Sequence, residues 1–108
     1  MKLTDSYRIE IHGSKLTGYL LNPMHPDGWS KAKFLMDAGI TSADVLQAIL
    51  IELVNENSVA STFDSPFGTK YIVEGSILLT GGSTLHLRTV WIVLTGEDIC
   101  KFVTAYPL

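Results

Sequence analysis

The stretch that most constrains this chain is Leu85-His86-Leu87-Arg88-Thr89-Val90-Trp91-Ile92-Val93-Leu94. It is rich in β-branched, aromatic and apolar side chains, and no Gly or Pro interrupts it. Such a run fits a pleated, partly buried surface better than a loop. It predicts a central strand of an antiparallel sheet, flanked by residues 69–79 on one side and 102–106 on the other. His86, Arg88 and Thr89 lie inside the run. A strand buried on both faces would exclude Arg88, because a buried charge costs several kcal/mol unless it is paired. One patch of the sheet is therefore expected to be open to water or to a ligand.

The remaining elements follow from periodicity and punctuation. Ile9 and Ile11 alternate with Glu10 and His12, which allows a short strand or an extended arm. Ser14 is a candidate cap for a helix to Leu21. The cluster Asn22-Pro23-Met24-His25-Pro26-Asp27-Gly28 reads as a turn. Ser30 then caps a helix over 31–38, with Gly39 suited to its C′ position. Thr41 and Asp44 form a variant capping box opening the main helix, 42–57. Val45, Leu46, Ile49, Leu50, Leu53 and Val54 follow its 3.6-residue period. Four strands follow, at 58–64, 69–79, 85–94 and 102–106. Ser65-Pro66-Phe67-Gly68, Thr80-Gly81-Gly82-Ser83 and Thr95-Gly96-Glu97-Asp98 turn the chain between them. The expectation is an α+β fold, with N-terminal helices packed on a four-stranded antiparallel β-meander. Phe34, Leu46, Ile49, Leu50, Leu53 and Trp91 are the expected core.

If Leu79 faces Leu85 across the hairpin, the two faces of the sheet separate. Tyr71, Val73, Ile77, Leu87, Thr89 and Trp91 share the core side. Lys70, Glu74, Ser76, His86 and Arg88 share the other, with Glu74 and Arg88 as a diagonal ion pair. A bulge would reverse part of this pattern.

With 108 residues, the chain is expected to be a single domain over 1–108, helical over about 14–57 and sheet over about 58–107. Hydrophobic residues make up 46% and charged residues 18%, as in an ordinary folded protein. A formal charge of −3 argues against general nucleic-acid glue, and no DNA partner is expected, though a local basic patch can still hold RNA. The single Cys100 excludes an internal disulfide framework and fits a reducing cytoplasm, the expected location. No signal peptide and no membrane span is evident. No P-loop, dinucleotide fingerprint, zinc spacing or GxSxG elbow occurs, so no cofactor or metal is expected.

Three constellations can carry chemistry. His25-Pro26-Asp27-Gly28 followed by Lys31 and Lys33 places an imidazole and two cations around a helix start. Gly68-Thr69-Lys70-Tyr71 opens a strand. Arg88-Thr89-Val90-Trp91 runs beside Thr104-Ala105-Tyr106. A proline turn with solvated lysines, an aggregation-guarding Lys70 and a structural Arg88 ion pair are the plain alternatives.

These residues carry a resemblance. Asn22-Pro23 with His25-Pro26-x-Gly28, Lys31-Ala32-Lys33-Phe34, Gly68-Thr69-Lys70-Tyr71-x-Val73-Glu74-Gly75, Arg88-Thr89-Val90-Trp91-Ile92 and Val103-Thr104-Ala105-Tyr106-Pro107 occur in order over residues 15–108. Together they resemble a family of small bacterial domains of unknown function. Similar domains occur alone and at the C-terminal ends of polymorphic and contact-dependent toxins. The resemblance implies a ribonuclease fold of the barnase, colicin and RelE kind, and a metal-independent RNA endonuclease of a toxin–antitoxin type system. In such chemistry the 2′-OH attacks the adjacent phosphate, a base and an acid move protons, and cations steady the developing charge. His25 can act as base or acid, since imidazole titrates near neutrality. His25, Arg88, Thr104 and Tyr106 are the implied catalytic residues. Lys31, Lys33, Lys70 and Thr89 are the implied substrate contacts. The implied partners are an RNA substrate and a small antitoxin-like protein. The alternatives are a non-catalytic binding module that pairs with a small partner protein, and an enzyme acting on a small molecule.

Overall fold

The computed structural model describes all residues except Pro23, Asp27, Gly28 and Thr80. The expected turn chemistry at those positions lies outside the described residues. A 3₁₀ turn, Leu3–Asp5, leads into strand β1, Arg8–Glu10. Helix α1, Gly13–Lys15, runs on as a π-helical turn, Leu16–Leu20. Helices α2, Trp29–Asp37, and α3, Ala43–Glu56, follow. Strands β2, Val59–Ser65, β3, Gly68–Leu78, β4, Thr84–Leu94, and β5, Ile99–Pro107, complete the chain. The described residues form three helices and one five-stranded sheet, ordered β1-β5-β4-β3-β2.

The α+β class and the β2–β5 meander are as the sequence implied. The sheet, however, is mixed rather than a four-stranded antiparallel meander, because β1 pairs parallel with the start of β5. The helices are also not N-terminal to every strand, since β1 precedes them. β5 starts at Ile99, three positions before the expected Phe102, where Arg8, Ile9 and Glu10 pair with Ile99, Cys100 and Lys101.

Helix ends differ from expectation in instructive ways. Ser14 lies inside α1, and His12 precedes it without a side-chain cap. α3 begins one residue late for the Thr41 capping box; Ser42 is its N-cap and makes no side-chain bond. Its termination is side-chain mediated, with Asn57 Nδ2 donating to the Leu53 carbonyl at 2.8 Å. The same amide sits against Gly75, where a Cβ would come within 2.5 Å of Asn57 Nδ2. Glycine there lets the helix end settle on the sheet. α2 ends as expected at Gly39, whose φ is +87°. Gly39 N–H donates to Met36 and Ile40 N–H to Leu35, while Leu35 and Ile40 are both buried. That is a Schellman closure with its apolar contact.

Helices cover one face of the sheet. Leu46, Ile49, Leu50, Leu53 and Val54 of α3 are buried against Val73, Ile77, Leu85, Leu87 and Trp91. Val45 keeps the helical period but is half exposed, and Phe34 packs on the rim of the core rather than inside it. Thr89 is a fully buried polar side chain, and its hydroxyl is satisfied twice. It donates to the Val73 carbonyl at 2.7 Å and accepts from Trp91 Nε1 at 2.7 Å. Pairing of this kind removes the desolvation cost of the group.

The β3–β4 register is two residues away from the one expected. Ile77, not Leu79, faces Leu85, and Glu74 lies directly opposite Arg88. A shift of two preserves the faces, because side chains alternate with period two. Both face assignments therefore hold, and the ion pair is direct rather than diagonal.

Candidate functional site

Where β5 leaves β1, a bulge reorganises its edge. Trp91 pairs with Phe102 and Val90 with Thr104, so Val103 is the additional residue. A bulge displaces the alternation by one position. Phe102 stays on the core side, its ring 5.2 Å from that of Trp91. Beyond the bulge, Thr104 and Tyr106 join Val90 and Arg88 on the outer side, while Ala105 takes the core side with Thr89. Without the extra residue, Thr104 and Tyr106 would point into the core.

Lys31 of α2 reaches this edge. Its Nζ donates to the Tyr19 hydroxyl at 2.6 Å and to Thr104 Oγ1 at 3.0 Å. The same ammonium lies 5.0 Å from the Tyr19 ring centroid and 5.7 Å from that of Tyr106. The Arg88 guanidinium approaches the Tyr106 ring as well, also at 5.7 Å. Tyr106 is thus approached by two cations supplied by different elements. Cation–π attraction favours each contact, but the cations repel one another.

Arg88 is partly neutralised. Its Nε donates to Glu74 Oε2 at 2.6 Å, with the side chains 41% and 32% exposed. Glu74, and secondarily Tyr106, raise the Arg88 pKa above its ordinary value. The guanidinium is charged at every relevant pH in any case.

His25 completes the group. Its ring meets that of Tyr19 edge-on at 4.9 Å. Local structure fixes its backbone: His25 N–H donates to the Asn22 carbonyl at 3.2 Å, and its own carbonyl accepts from Trp29 N–H at 3.1 Å. His25, Tyr19, Thr104 and Val103 line an open cleft of about 510 Å³ against Gly18 and against Ser14 and Lys15 of α1. The π-helical turn, closed by Leu21 N–H donating to Leu16 at 2.7 Å, is the element that carries Tyr19 there. Such turns are frequent at functional sites.

Of the residues singled out by sequence, the structure links five as a chain of neighbours: His25 and Thr104 line one cleft, Lys31 bonds Thr104, and Lys31 and Arg88 both approach Tyr106. It does not bring in the others. Thr89 is buried on the opposite face, where its hydroxyl is committed to Val73 and Trp91. Lys33 is exposed two positions along α2 from Lys31, on a different side of the helix. Lys70 is exposed on the outer face beside Phe63 and Ile92, towards the far end of β3. Tyr19 is the residue that sequence reasoning did not place in the site. A lone tyrosine beside Gly18, within the helix expected up to Leu21, carries no chemical signal in the sequence.

Two other features concern chemistry. Cys100 is buried, and that burial pushes its thiol up to about 12, which leaves it unreactive. Ser76 and His86 Nδ1 lie 2.7 Å apart on the exposed outer face. Among the described residues, no three His, Cys, Asp or Glu side chains are grouped as metal ligands. No described helix is long and apolar enough to cross a membrane.

No curated protein matches the sequence. Among solved structures, a chain of a contact-dependent growth inhibition toxin–immunity protein complex from Klebsiella pneumoniae 342 is similar, with a TM-score of 0.68. It is 14% identical, and the match covers 91% of this chain and 98% of that one. The likeness is one of fold. The sequence profile of a domain of unknown function, DUF6883, matches residues 2–108, and the chain belongs to that family.

Proposed function

We propose that this protein is a toxin-type ribonuclease that cleaves RNA at the β5 edge without a metal ion. The observation that carries the proposal is the convergence of Lys31 and Arg88 on one ring, that of Tyr106. A chain with a net charge of −3 has no need to gather cations. The Tyr106 ring favours each contact and Glu74 neutralises Arg88 only in part, so the two cations together still favour an anion beside them. A phosphodiester supplies that anion, and Arg88 offers it a planar fork.

In this reading each group has one role. His25 takes the proton of the 2′-OH as that oxygen attacks phosphorus. Lys31 and Arg88 hold the non-bridging oxygens while charge builds on them. Thr104 fixes the Lys31 ammonium. Tyr106 gives its proton to the departing 5′-oxygen, and a 2′,3′-cyclic phosphate remains. The similarity in fold to a chain from a toxin–immunity complex supports the toxin-type part of the reading.

Expression of the chain alone in bacteria tests the proposal. Growth arrest with fragmented RNA, relieved by Lys31→Gln, is the expected result. Growth with intact RNA would remove it.

A second reading has its own observation. Ile72, Val90 and Ile92 form a half-buried stripe on the outer face, with none of the described helices over it. Such a stripe also fits a non-catalytic module that pairs with a small partner protein. In that case the protein alone leaves RNA intact and forms a stable complex through this face.

A further inference from the structure

The outer face holds a second groove that adjoins the cleavage residues. Its volume is about 350 Å³, and Phe63, Ile72, Glu74, Arg88 and Tyr106 line it. It shares Arg88 and Tyr106 with the cation cluster, so a ligand held at both places is continuous across Tyr106. We propose that this groove binds the nucleobase of the nucleotide whose 2′-OH attacks, and that the base is guanine. The inference rests on the cleavage reading for the position of the phosphate, and on the groove alone for the base.

The chemistry of the lining selects a nucleobase. Phe63 is an aromatic side chain left 59% exposed beside a strand face. Exposed aromatics on a sheet are stacking platforms for unpaired bases. Ile72 gives the groove an apolar floor opposite Val90. Glu74 gives it an acceptor. The Glu74 carboxylate takes the Arg88 Nε–H on Oε2, while its side chain remains 32% exposed. An ionised carboxylate accepts hydrogen bonds and cannot donate them. Guanine presents two adjacent donors on its Watson–Crick edge, N1–H and the N2 amine. Adenine presents a bare N1 acceptor at the corresponding place, which a carboxylate repels. The pyrimidines lack a second ring for stacking across the groove. Arg88 would serve both ends, its Nε fixed by Glu74 and its terminal nitrogens holding phosphate.

Titration calorimetry of the whole chain with guanosine 3′-monophosphate and adenosine 3′-monophosphate tests the proposal. The guanine nucleotide is expected to bind at least about tenfold more tightly, as one good two-bond base contact allows. Glu74→Gln should bring the two affinities together. Phe63→Ala should weaken both in parallel, because stacking tolerates any base. Circular dichroism of each variant checks that it is folded. Equal affinities in the wild type, or a guanine preference that survives Glu74→Gln, would overturn the proposal. Cleavage is read separately, on RNA oligonucleotides with one guanine. Cutting without base preference, joined to equal nucleotide affinities, removes the groove but keeps the nuclease. Glu74-dependent guanine binding with no cutting removes the nuclease but keeps the groove.

Discussion

The two faces of β4 carry opposite kinds of structure within one strand. On the core side, Leu85, Leu87, Thr89, Trp91 and Val93 are all buried. Their one polar group, the Thr89 hydroxyl, is locked between the Val73 carbonyl and Trp91 Nε1. On the outer side, Arg88 is 41% exposed, and its guanidinium lies against Tyr106. Period-two alternation thus assigns stability to one set of residues and surface chemistry to the other. The bulge at Val103 extends the outer set onto β5 by turning Thr104 and Tyr106 away from the core. The comparison teaches that a mutation on β4 or β5 should affect either folding or function, according to its parity.

That separation can be broken most severely at Trp91, which is fully buried and stacks edge-on with Phe102. Trp91→Ala is expected to destabilise the fold by about 3–5 kcal/mol. Urea denaturation measures it, and an unchanged midpoint would dismiss the core assignment. Thr89→Val should cost less, about 1–3 kcal/mol, because Trp91 Nε1 then loses its acceptor inside the core. Were Thr89 a substrate contact instead, that variant would leave the midpoint alone and lower RNA affinity.

Alkaline pH sharpens the comparison, since both strongly shifted groups lie on the core side of the sheet. Burial pushes the Cys100 thiol from 9.0 to about 12. The Tyr7 hydroxyl, at 3.2 Å, is the main cause that lifts Tyr71 from 10.0 to about 12, and burial adds to it. The unfolded chain releases both protons earlier, so the folded state binds more protons above pH 9. Their contribution to stability is fully present below the unfolded values and is lost as pH rises towards about 12. Denaturation midpoints should fall steadily across that window. Phenolate absorbance should show the Tyr71 titration returning towards 10 in Tyr7→Phe, and no change there would reject the pairing.

The smallest effect on stability is expected on the outer side. Arg88→Lys should leave the melting temperature unaltered, because exposed ion pairs contribute little. Function should still suffer, since an ammonium cannot supply the two-pronged contact with phosphate. Full activity in Arg88→Lys would end the claim that the fork matters.

The sequence disclosed a good part of this arrangement. Strand β4 and helix α3 were legible because their apolar periods are strong and local. Strand faces were legible even though the hairpin register was not, since a shift of two residues conserves parity. β1 was legible only as a short strand or an extended arm, because its three residues pair with β5 far along the chain. The Val103 bulge left no mark in composition, yet it decides where Thr104 and Tyr106 point. His25, Lys31 and Arg88 were each visible as polar residues in suggestive places. Their convergence on Tyr106 and Tyr19 depends on α2 crossing the β5 edge, which is tertiary information.

The central claim is that the β5 edge is a phosphate-cleaving centre with His25 as its base. Purified, partner-free protein incubated with RNA in excess chelator tests it most directly, alongside His25→Ala. The account predicts cleavage by the wild type to 2′,3′-cyclic phosphate ends, and none by a His25→Ala variant that unfolds at the same temperature. Equal cleavage by both proteins would contradict the role of His25, and intact RNA in both would contradict the claim itself.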